Sequence, residues 1–139
     1  DHRVEKPEDE LEEGQIWEAL MSAAKYGLDN LCVIVDVNGL QIDGPTKNVM
    51  PMEPLADKFT AFGCSVIETD GHNFDTLEKA FRAARDVRGR PAAILAHTVK
   101  GKGISFMENK VGWHGKAPKE EEYLQAMAEL TAALTRAEV

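Results

Sequence analysis

The stretch Val33-Ile-Val-Asp-Val-Asn38-Gly-Leu-Gln-Ile-Asp-Gly44 begins as an apolar strand and runs straight into a polar, glycine-punctuated turn. Leu31 to Val35 is an unbroken apolar run rich in valine, the pattern of a strand covered on both faces rather than one with a wet side. Asp36 and Asn38 arrive where that strand stops. In open α/β sheets ligands collect outside the carboxyl ends of the strands, where side-chain oxygens and loop carbonyls can converge on a cation or a phosphate. Asn38-Gly39 and Asp43-Gly44 are also common turn pairs, so these residues alone allow either a ligand site or a bare turn.

Working outward, Ile16, Trp17, Leu20, Met21 and Ala24 fall on one face of a helix that begins near Leu11, and Gly27 suits its end. Residues 1–10 are charged, show no periodicity, and read as a solvated leader. Beyond Gly44, Pro54 opens a helix carrying Leu55, Ala56 and Phe59, which Gly63 closes. Cys64 to Ile67 is a short strand. Thr69-Asp-Gly-His-Asn73 is a second strand-end turn, and Asn73 can cap a helix whose stripe is Leu77, Ala80, Phe81, Ala84 and Val87. Ala92 to Thr98 is a third strand, ending in the basic turn Val99-Lys100-Gly-Lys-Gly103. Residues 104–117 form a long loop. Pro118 opens the last helix, with Leu124, Met127, Thr131 and Leu134 along one side.

Helix and strand thus alternate from residue 11 onward, which predicts an α/β fold with a mostly parallel sheet and helices on both faces. Parallel strands deliver their carboxyl ends to one edge, so Asn38, the Asp70-Gly71-His72 turn and Lys100 are expected on one rim.

A chain of 139 residues with 43% hydrophobic content suits one domain that buries roughly 70% of its unfolded surface. With 16 basic and 24 acidic residues the net charge is −8, which argues against a nucleic-acid or anionic-membrane surface. Cys32 and Cys64 lie in apolar runs and read as buried, reduced thiols. No signal-peptide pattern is present, and apolar runs stop far short of the roughly 20 residues that cross a bilayer. The expected setting is cytoplasmic.

Several motifs, in unbroken order, resemble one family. Glu10-Leu-Glu-Glu-Gly14-Gln-Ile-Trp-Glu-Ala19, Leu28-Asp-Asn30, Asp36-Val-Asn-Gly-Leu-Gln-Ile-Asp-Gly44, Thr69-Asp-Gly-His72, His97-Thr-Val-Lys-Gly-Lys-Gly103 and Gly112-Trp-His-Gly115 look like the pyrophosphate-binding domain of transketolase. The nearest likeness is the short form encoded as a separate N-terminal section. The resemblance covers the chain from about Glu10 to about Leu130, so residues 11–139 read as a partial domain of the thiamine diphosphate-binding fold behind the leader 1–10. It implies thiamine diphosphate bound through a divalent cation, usually Mg²⁺, and transfer of a two-carbon ketol unit between phosphosugars. Asn38 would ligate the metal by its side-chain oxygen and Leu40 by its backbone carbonyl, both hard donors of the kind Mg²⁺ takes. Lys100 would offset diphosphate charge. His114, within Gly-Trp-His-Gly on a loop, would act beside the reacting carbon as the catalytic histidine. Glu13 would match a glutamate at the subunit interface; by itself it equally suits a carboxylate stabilising a helix start. His72 and His97 read as structural.

The departure lies at the front. The family carries an apolar strand ending in Gly-Asp-Gly-Glu, whose aspartate completes the metal ligands. The position in register with it is Glu8, a methylene longer, with Pro7 and Asp9 in place of the glycines. The upstream half of the domain, the pyrimidine-binding domain and the C-terminal domain have no counterpart in this sequence. The chain is therefore expected to be inactive by itself and weak in cofactor binding, and to assemble as a homo-oligomer or with a complementary transketolase section. Two other readings remain: a non-catalytic module kept for subunit contact, or a piece of a sibling thiamine enzyme such as deoxyxylulose-phosphate synthase or a 2-oxoacid dehydrogenase component. Trp113-His-Gly favours transketolase over the siblings.

Overall fold

The computed structural model describes residues 2–137, with side chains described for 10–136. A four-stranded, fully parallel sheet forms its centre, in the order β1-β2-β6-β5. These strands are β1 (His2–Pro7), β2 (Leu31–Val37), β5 (Ser65–Asp70) and β6 (Ala92–His97). The two-residue strands β3 (Leu40–Gln41) and β4 (Gly44–Pro45) pair antiparallel in the turn after β2. The helices are α1 (Gly14–Lys25), α2 (Thr46–Val49), α3 (Leu55–Ala61), α4 (Phe74–Asp86) and α5 (Glu120–Ala137).

Alternate residues of β2 and β6 divide the core. On one face Val33, Val35, Ala93 and Leu95 pack with Leu11, with Leu20 of α1, and with Leu55 and Phe59 of α3. Trp17 stacks against Phe59 and Phe62, with ring centroids 5.4 and 4.9 Å away, and its indole N–H donates to the Leu11 carbonyl at 2.8 Å. On the other face Cys32, Ala92 and Ile94 meet Ala80 and Ala84 of α4. Helices on both faces of a parallel sheet are what the strand pattern required. Both cysteines are buried and neither is in a disulfide, and burial pushes the Cys64 thiol up to about 11, so it stays protonated at neutral pH.

Four details depart from the sequence reading. Within residues 1–10, read as a charged, solvated leader, residues 2–7 form β1, paired with β2 from His2↔Leu31 to Pro7↔Asp36. Charged residues are tolerated there because β1 is an edge strand, and the backbone ladder with β2 needs no apolar side chains. A 3-10 turn, Glu8–Glu12, then delays the start of α1 to Gly14. On α1, Ala23 rather than Met21 joins the core; Met21 is exposed. The α5 stripe exists but faces outward, with Leu124, Met127, Leu130 and Leu134 all exposed. Ala126 of α5 is buried, and the helix is tied to the 104–117 loop, where Glu129 accepts hydrogen bonds from the Ser105 N–H and hydroxyl, both 2.7 Å; the Ser105 N–H first among these holds its carboxyl below the usual range.

Candidate functional site

The strand register decides where the site residues lie. Val37 stands opposite His97, and Asp70 opposite His97 on the other side, so β2, β6 and β5 end in one row. Pro7 stands opposite Asp36, so the backbone of Glu8 leaves β1 at the same rim. The side chains of Glu8 and Asp9 lie outside the described residues.

Asn38 follows β2 and is 8% exposed. Its Oδ1 accepts from the Leu40 N–H at 3.1 Å, and its Nδ2 donates to Asp36 Oδ2 at 3.2 Å. Gly39, between them, sits at φ +72°, where a side chain would be strained. Asp36 Oδ1 accepts from the Thr98 hydroxyl just past β6, and the Thr98 N–H donates to the Val37 carbonyl at 3.0 Å. Beyond Thr98 the Val99 N–H donates to His72 Nε2 at 2.7 Å, and the Gly71 N–H to the His97 carbonyl at 2.8 Å. A continuous set of hydrogen bonds therefore crosses the rim from the Asp70-Gly71-His72 turn to Leu40. His72, read as structural, thus ties its turn to the first residues after β6. His97 reaches Glu68 at 2.9 Å on the exposed end of β6.

Two cavities open on this rim. One, of about 590 Å³, is lined by Asn38, Leu40, Thr46, Met52, Leu55 and Asn109 among others. The second, of about 540 Å³, is lined by Asp36, His72, Thr98, Lys100 and Lys102 among others. The Asp36–Asn38 pair joins them, since each partner lines one. The structure thus brings Asn38, Leu40 and Lys100 to one edge. It does not bring His114 to them: His114 is exposed and lines neither cavity. The 104–117 loop is folded on Trp113, which stacks on Phe106 at 5.3 Å, donates to its carbonyl at 3.0 Å, and lies under Lys116 Nζ at 4.0 Å. Glu13 is exposed at the N-cap of α1 and accepts from the Gln15 side chain. Sequence reasoning marked Asp36 beside Asn38 at the strand end but missed Thr98 and the bond that joins it to Asp36.

Asn38 retains an acceptor lone pair beyond its bond to Leu40, and a carboxamide with a neighbouring carbonyl is a hard donor pair suited to Mg²⁺. Among the described residues no group of three or more His, Cys, Asp or Glu could hold a metal; the Asn38 carboxamide and the Leu40 carbonyl are uncharged oxygen donors. No helix of the described residues is long and apolar enough to cross a membrane.

Residues 6–134 match the family model described as transketolase, thiamine diphosphate binding domain. The chain is 47% identical over 121 residues to one component of the 6-deoxy-6-sulfo-D-fructose transketolase of Clostridium sp., covering 87% of this chain and 44% of that component. It is 40% identical over 126 residues to one component of the apulose-4-phosphate transketolase of Phocaeicola vulgatus, covering 91% and 45%. Among solved structures, transketolase of Campylobacter jejuni superposes with a TM-score of 0.75 at 29% identity, covering 81% of this chain and 18% of that one. Transketolase of Pichia stipitis with sedoheptulose-7-phosphate gives 0.82 at 25%, covering 89% and 18%. The chain spans less than half the length of the two curated relatives. With the motifs, the parallel fold and the family model in agreement, and the sibling reading set aside, the chain belongs to the transketolase thiamine diphosphate-binding domain family.

Proposed function

We propose that this chain is the later part of a transketolase diphosphate-binding domain and that its rim is the protein's side of a Mg²⁺–thiamine diphosphate site. The observation that carries this reading is the shared rim, where Asn38 and Lys100 stand on neighbouring strand ends joined through Asp36 and Thr98. Asn38 Oδ1 and the Leu40 carbonyl would hold the cation, and Lys100 would offset diphosphate charge. His114 would hold or move a proton near the reacting carbon once its loop closes over the rim. Glu13 would face a second protomer. Bound thiamine diphosphate supplies the carbon nucleophile for ketol transfer between phosphosugars.

Glu8 is a poor third ligand in this account, because Mg²⁺ tolerates little departure from octahedral geometry and short metal–oxygen distances. Pro7 removes a donor and Asp9 adds negative charge beside an anion. Binding by the chain as it stands is accordingly weak, and turnover absent, since partial catalytic sets lose most of the rate. Calorimetry tests this: no saturable binding is expected at micromolar cofactor with millimolar Mg²⁺. Rebuilding residues 5–9 as an apolar strand ending in Gly-Asp-Gly should raise affinity measurably, and Asn38→Ala in that background should remove the gain. Tight binding by the unmodified chain, or no gain on rebuilding, overturns the reading. A coupled assay with xylulose 5-phosphate and ribose 5-phosphate should show no turnover by the chain alone.

The exposed leucines of α5 favour a second reading, a module kept for subunit contact. A rebuilt front end that still binds no cofactor, in a chain that assembles, would select it.

A further inference from the structure

We propose that Asp36 is a positioning residue: it fixes which end of the Asn38 carboxamide carries the oxygen, and through Thr98 it ties that orientation to the root of the loop bearing Lys100. The inference rests on the reading of Asn38 as a cation ligand, but its chemistry is independent of any bound cation.

A carboxamide has one accepting end and one donating end. Asn38 lies between two partners that each offer only one role. The Leu40 N–H can only donate, and it lies 3.1 Å from Oδ1; the Asp36 carboxylate can only accept, and its Oδ2 lies 3.2 Å from Nδ2. Turning the amide over would set oxygen against carboxylate and NH₂ against N–H, losing both bonds at a buried position, where unmade hydrogen bonds are costly. The orientation is therefore determined by the neighbours. Asp36 cannot easily swing away, because the Thr98 hydroxyl holds its other oxygen. Thr98 is itself fixed by its N–H bond to Val37, and the next residue by the Val99 bond to His72.

The same geometry accounts for the residue type at position 38. A carboxylate would be the stronger ligand for a hard cation, yet an aspartate there would face the Asp36 carboxylate across a hydrogen-bond distance. Only a carboxamide satisfies the Leu40 N–H and Asp36 together. Asp36 thus sets both the orientation and the chemical nature of the ligand beside it.

The test uses the 139-residue chain without cofactor, so that its failure is distinct from failure of the cofactor reading. Nuclear magnetic resonance reports the Asn38 side-chain NH₂ and the hydrogen exchange of the Leu40 amide. Asp36→Ala should shift the NH₂ resonances towards those of a solvated amide and speed Leu40 exchange roughly fivefold, the order expected for loss of an ordinary hydrogen bond. Asp36→Asn, which can keep both partners, should preserve them. Asn38→Asp should lower the melting temperature, and the exchange of types, Asp36→Asn with Asn38→Asp, should recover most of it, because the donor and acceptor are then merely swapped between the same two positions. Bulk and fold are nearly constant through this pair, so recovery reports the pairing itself. Unchanged NH₂ resonances and Leu40 exchange in Asp36→Ala, or a double variant no more stable than Asn38→Asp, would overturn the proposal.

Discussion

Gly71 shows how closely the rim is fitted at the scale of single residues. A Cβ built there would lie 2.5 Å from Thr98 Cγ2 and 3.1 Å from the His97 carbonyl oxygen. Thr98 has little freedom to yield, because its hydroxyl is committed to Asp36. Gly71→Ala should destabilise the chain by about 1–3 kcal/mol, the usual cost of overpacking, and chemical denaturation will measure it. A loss too small to detect would mean that the Asp70–His72 turn and the Thr98 loop are not bolted together. The candidate ligands themselves were legible in the sequence, because Asn38 and Lys100 each follow a strongly patterned strand and parallel strands share an edge. The link between them was not. Asp36 and Thr98 are 62 residues apart, and a single side-chain bond across that distance leaves no periodic trace.

The elements differ in how they announced themselves, and α4 is the clearest. Asn73 Oδ1 accepts from the Asp75 and Thr76 N–H groups at 3.0 and 3.2 Å, satisfying two of the helix's orphan donors. The stripe behind it reaches the core through Ala80 and Ala84. Asn73→Ala should cost about 1 kcal/mol, read as a lower denaturation midpoint with an unchanged slope; a neutral result would show that water caps this helix equally well. Capping and stripe are local signals, which is why Asn73 and α4 could be read from residues alone. By contrast β1 could not, because its sequence is charged and its strand character comes from the ladder it shares with β2. It occupies the outer edge of β2 along six residues.

For the molecule as a whole, the surface that still asks for a partner is α5. Leu124 is 58% exposed and Leu134 61%, with Met127 and Leu130 between them on the same helix. Tyr123 is half-exposed beside them. A contiguous apolar stripe on one helix is unlike the scattered single residues normal on monomer surfaces, and such patches generally mark contact sites. The chain also spans only 44% of the Clostridium protein it resembles, and the remainder of such a protein is one candidate to cover the stripe. Presented alone, the stripe has only a second copy of the same chain to meet. Sedimentation should therefore find species heavier than the 15.3 kDa monomer, in a concentration-dependent equilibrium. Leu124→Gln with Leu134→Gln should shift that equilibrium towards monomer while leaving helix content unchanged, since glutamine is nearly as good a helix former as leucine and adds no charge. A clean, well-folded monomer of the parent chain across the concentration range would refute the argument. So would an oligomer that the two glutamines leave intact, because the contact would then lie on another face.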